Sequence, residues 1–93
     1  MRLKKTEIQI ITDIIRQIDP GAEIRLFGSR VNDNDKGGDI DLLILSSKIS
    51  LREKLTIRYK MKEKLGDRKI DLLVTEKPVT AFTRHAYKNS VML

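Results

Sequence analysis

The chain opens with apolar residues at helical spacing. Ile8, Ile11, Ile15 and Ile18 recur every three or four positions, and Ile10 and Ile14 widen the stripe, which predicts an amphipathic helix from Thr6 to Ile18. Thr6 with Gln9 has the form of a capping box at its start, and Pro20-Gly21 stops it. From Ala22 to Phe27 the period drops to two, with Ile24 and Leu26 alternating against Glu23 and Arg25, as in a half-buried strand. A polar connector from Arg30 to Gly38 reads mainly as loop, with room for a helical turn near Ser29 to Asn32. Asp39 to Leu45 is the central strand, aliphatic on both faces past its acids and so expected between two layers.

Ser50 and Glu53 form a second capping box and open a helix that runs to about Leu65, with Gly66 as its C-terminal cap. Leu51, Leu55 and Tyr59, together with Ile57, Met61 and Leu65, give this helix a broad apolar arc. Lys69 to Val74 is a third strand, and Pro78 precedes a short last helix, Val79 to Lys88, expected to bury Phe82 and Ala86. Tyr59 and Tyr87 read as packing residues. The order α-β-β-α-β-α predicts an α/β (α+β) fold, a small mixed β-sheet with helices packed on it, in a single domain spanning residues 1–93.

Charge and composition narrow the function. The net charge of +6 attracts nucleic acid, nucleoside triphosphates or an acidic protein alike. Aromatic residues are only Phe27, Tyr59, Phe82 and Tyr87, too few for the stacking platforms of single-strand binding, so nucleic acid is not the expected partner. The absence of cysteine excludes disulfides and thiolate metal sites. No apolar run reaches the length of a membrane span and the N-terminus is too polar for a secretory signal; the expected location is cytoplasmic.

The candidate chemistry lies at the strand starts. Asp39 and Asp41 alternate ahead of an aliphatic run, so in a strand they project to one face while Ile40 turns away. Two like charges side by side repel unless a cation lies between them, and oxygen-only ligation suits a hard divalent ion such as Mg2+, with Mn2+ also compatible. Asp71, in Lys69-Ile70-Asp71-Leu72-Leu73, repeats the pattern. Three acids on two strands below a Gly28-Ser29 turn point to metal-assisted phosphoryl or nucleotidyl transfer. The bland alternatives are a solvated strand end or a turn cap for Asp39 and Asp41, and a salt bridge from Asp71 to Arg68 or Lys69. His85, the only histidine, is given no catalytic role.

Gly28-Ser29, nine residues, Asp39-Ile40-Asp41 and a later single Asp71 together resemble the signature of the DNA polymerase beta-like nucleotidyltransferase superfamily. The small size resembles its minimal nucleotidyltransferase (MNT) members, often antitoxins of HEPN toxins. The resemblance implies the polymerase beta-like fold, with ATP as substrate and two Mg2+ ions. Asp39 and Asp41 would bridge metal to triphosphate, and Asp71 would bind a second ion and help deprotonate the attacking hydroxyl. Gly28, Ser29 and Arg30 would meet the phosphates. It also implies transfer of AMP to a hydroxyl, with a tyrosine of a HEPN-type partner as the favoured acceptor. Larger relatives grip the acceptor with further domains, so here the acceptor site is expected to be open or completed by another subunit or partner. Two other readings stand beside it: an antitoxin that works by binding alone, and a small-molecule nucleotidyltransferase. Self-association also suits the broad apolar helix face.

Overall fold

A computed structural model describes residues 3–28, 39–66 and 68–93. Along these residues run α1 (Lys5–Ile18), β1 (Glu23–Phe27), β2 (Ile40–Leu45), α2 (Leu51–Leu65), β3 (Ile70–Thr75), α3 (Ala81–Lys88) and β4 (Val91–Met92). The expected order holds, with one strand added at the end. Two residues carry too little period to be read as a strand, and β4 forms only because β1 offers it an open edge: Arg25 faces Met92 and Leu26 faces Val91 in an antiparallel ladder.

The capping of α1 corrects the reading at Thr6 and Gln9. Lys4 is the N-cap, and its N–H donates to Glu7 Oε1 at 2.9 Å. A carboxylate three residues into the helix makes a charge-assisted bond there, while Gln9 donates along the helix surface to Asp13 instead. At the other end Asp19 accepts from the Gly21 N–H at 3.0 Å and from the Ser46 hydroxyl at 2.5 Å. The turn after α1 is thereby tied to the end of β2. For α2 the Ser50–Glu53 box is present in both directions, with bonds of 2.9 and 3.2 Å. Gly66 closes that helix at φ +87°, a conformation that costs glycine little and other residues more.

The sheet order is β3-β2-β1-β4. β1 and β2 are antiparallel, and β2 and β3 are parallel, joined through the α2 crossover. Side chains directly opposite each other share a face. Ile24, Leu26, Ile40, Leu42, Ile44, Ile70 and Leu72 therefore share one side, where with Ile11 and Ile15 of α1 and Ile57 and Met61 of α2 they form the buried core. The other side carries Arg25 and Phe27 of β1, Asp41 and Leu43 of β2, and Asp71 of β3.

α3 is fastened to that second side. Arg25 donates to Ser90 Oγ at 2.6 Å, pairs with Glu23 at 2.7 Å, and lies 4.3 Å from the centre of the Tyr87 ring. Leu43 and Ala86 are both buried yet lie outside the main core cluster.

Two packing expectations change. Phe82 is 62% exposed, because the Thr80–Thr83 cap turns Thr83 and Ala86 inward and leaves Phe82 facing out. The broad arc of α2 is split: Ile57 and Met61 are fully buried, while Leu51, Leu55 and Tyr59 are 72%, 54% and 65% exposed. A helix lying on a sheet buries one stripe, and these three fall on the far side.

Candidate active site

β2 starts beside the end of β1, and β3 starts level with β2. The parallel register sets Asp41 directly opposite Asp71, and the antiparallel register sets Asp41 opposite Phe27. Every acid of interest therefore gathers at one end of the sheet, on the face away from the main core. Asp39 sits just ahead of β2 and is exposed; Asp41 is half-buried and Asp71 exposed.

Asp41 and Asp71 are hydrogen-bonded carboxyl to carboxyl. Burial pushes the Asp41 carboxyl up to about 6, and the Asp71 hydrogen bond, the Asp71 charge and the Asp39 charge push the same way against Lys69. With a second carboxylate directly opposite, the charged form of Asp41 is costly, and its carboxyl keeps its proton to a higher pH. A divalent cation held by both would take the place of that proton, which is the sense in which the pair fits a metal. Among the described residues, no three His, Cys, Asp or Glu side chains form a single cluster sized for a metal ion. The pair is the centre of the arrangement, and Asp39 adds its charge from two residues upstream of Asp41.

Gly28 is built into the same corner. Its φ is +76°, and a Cβ there would collide with the Asp41 carboxylate, falling 3.1 Å from Cγ. The backbone thus presses against the acid where any side chain would displace it. Ser29 and Arg30, the other two expected phosphate contacts, lie outside the described residues. The salt-bridge alternative for Asp71 loses Arg68, whose guanidinium pairs with Glu7 at 2.5 Å. Lys69 acts on Asp41.

A cavity of about 600 Å³ opens beside this corner, walled by Phe27 and Gly28 on one side and by His85, Lys88 and Asn89 of the α3 end on the other. The sequence reading missed this wall. Its only local signal is that Phe27 directly precedes Gly28, since the approach of α3 depends on contacts far apart along the chain.

Residues 8–92 match a family model described as a nucleotidyltransferase domain. No curated protein matches the chain. Among solved structures, one chain of a mutant MntA-HpeT toxin–antitoxin crystal structure superposes with a TM-score of 0.70, covering 98% of this chain and 71% of that one at 22% identity. At that identity the likeness is one of fold, and the fold is polymerase beta-like.

Proposed function

We propose, for a chain that belongs to the nucleotidyltransferase domain family, a metal-dependent transfer of AMP from ATP to a hydroxyl. The observation that carries the reading is the Asp41–Asp71 pair, level across two parallel strands with Gly28 packed against it. Asp39, Asp41 and Asp71 would hold the divalent ions, Mg2+ or Mn2+. When bound, such ions neutralise the triphosphate and lower the pKa of the attacking hydroxyl.

The chain's own groups supply the rest. Gly28 lets the main chain approach the phosphates, with Ser29 and Arg30 as the proposed side-chain contacts beyond it. Asp71, the more exposed of the pair, accepts the acceptor's proton as its oxygen bonds to the α-phosphorus. The bond from that phosphorus to the bridging oxygen of the β-phosphate breaks, and pyrophosphate leaves. Asp41, less solvated, stays in place as the anionic anchor.

The proposed acceptor is a tyrosine of a HEPN-type toxin, so that transfer neutralises the partner. The structural relative comes from a toxin–antitoxin pair, and the exposed Leu51, Leu55 and Tyr59 suit a chain that meets another protein. Incubation with Mg2+ and α-phosphate-labelled ATP in a lysate of the source organism should label one protein band. Asp71→Asn should fold normally and label nothing; persistent labelling by that variant would refute the role given to Asp71. The purely binding antitoxin predicts that Asp39→Asn still protects cells, whereas the catalytic reading predicts that protection is lost. Label entering only small molecules would favour the small-molecule enzyme instead.

A further inference from the structure

We infer that the cavity between the end of β1 and the end of α3 receives the nucleoside portion of the triphosphate, with His85 and Asn89 as its specificity-determining residues. The inference rests on the proposed reaction for its ligand, but on separate observations for its location. The cavity shares a wall with the acid pair: Gly28 lines it and packs on Asp41, and Phe27, which also lines it, faces Asp41 across the ladder. A ligand held by its phosphates at the acids therefore extends into the cavity without crossing the sheet. Its volume of about 600 Å³ falls within the range of small-molecule sites.

The chemistry of the walls selects the end of the ligand that enters. Asn89 caps α3, and the last carbonyls of a helix carry partial negative charge. Those carbonyls accept neutral hydrogen-bond donors, and Lys88 on the same wall offsets their charge. Asn89 spends its Nδ2 on the His85 carbonyl at 2.9 Å, which leaves Oδ1 to accept from an exocyclic amino group or a ribose hydroxyl. Phe27 and His85 both line the cavity, and their rings are of the kind on which a base stacks. The anionic end then stays at Gly28, and the uncharged end lies against α3.

Calorimetry with Mg2+ and α,β-methylene-ATP, run beside Mg2+ and inorganic tripolyphosphate, separates the two ends. His85→Ala and Asn89→Ser lie on the exposed surface of α3 and should leave the circular dichroism spectrum unchanged. Each should weaken the nucleotide analogue about tenfold, while tripolyphosphate binds both variants as it binds the parent chain. Equal binding of the analogue by parent and variants would overturn the inference, leave the proposed reaction standing, and make the cavity a candidate for the acceptor side chain. A parent chain that binds neither probe would overturn the inference together with the reaction it rests on.

Discussion

At Gly28 a methyl group has nowhere to go. The positive φ and the Asp41 carboxylate both exclude it, so Gly28→Ala must shift either the turn or the acid. The strained backbone costs about 1 kcal/mol or more. Displacement of a reacting group by a fraction of an ångström to 1 Å can cost about a hundredfold in rate. Nucleotidyl transfer by Gly28→Ala should therefore fall by about that factor while the chain remains folded, measurable as initial rate alongside a thermal melt.

Asp41 has the opposite relation between stability and function. Its carboxyl titrates near 6, above the ordinary 3.8, so the native chain holds a proton that the unfolded chain releases. The charged form burdens the fold increasingly as pH rises between those two values, and the full burden is present above the higher one. Asp41→Asn removes it. In chelator, the variant should melt above the parent at neutral pH, by on the order of 1 kcal/mol after allowance for solvent screening. The gap should narrow as pH falls from 6 and close below 3.8, where the parent carboxyl is protonated in both states. On the proposed reaction the same variant should be inactive in transfer, since an amide cannot replace the carboxylate assigned to hold the metal. Melting curves at several pH values decide the first half, and a gain that persists undiminished in acid would contradict it.

Among the elements, α1 and β3 are joined by Glu7. Burial raises its carboxyl, but the Lys4 N–H and the Arg68 guanidinium outweigh that and hold it below its ordinary 4.5. A carboxyl lowered by folding stabilises the fold above its unfolded value, and that contribution is lost as pH falls through the folded one. Glu7→Gln should cost about 1–2 kcal/mol at neutral pH, through the weakened cap and the partly buried ion pair. Below pH 4.5 the two chains should converge, which a pH series of urea midpoints would record.

The strands and helices were readable in the sequence where their determinants are local. Ser50 and Glu53 are three residues apart and meet within one turn, and Ile24 and Leu26 alternate within five residues. The acids were legible because each opens an aliphatic run. What failed depended on distant partners. Lys4 is no usual cap, and it serves as one only because Glu7 reaches back to it and is held by Arg68. Phe82 faces out because α3 is seated by Ala86 and by Arg25 on β1. The level pairing of Asp41 with Asp71 needs the β2–β3 register, which the repeated Ile-Asp-Leu-Leu hinted at without fixing. That Gly28 abuts Asp41 could not be read from either residue.

Over the whole molecule, a net charge of +6 coexists with exposed Leu51, Leu55 and Tyr59 on one helix. Like charge keeps copies apart, and added salt screens it while leaving the apolar contacts intact. Light scattering of the purified chain should therefore show association growing with ionic strength, and Leu55→Lys should suppress it. Association that instead weakens with salt would point to charge pairing as its cause.

The level register of β2 and β3 also makes the site a late arrival during folding. Asp41 and Asp71 are thirty positions apart, and only closure of the whole α2 crossover brings them together. Bringing distant segments together is entropically slow compared with forming a helix turn. A nascent chain that has made α1, β1 and β2 thus carries only part of its acidic corner, and the carboxylate pair exists only in the finished fold.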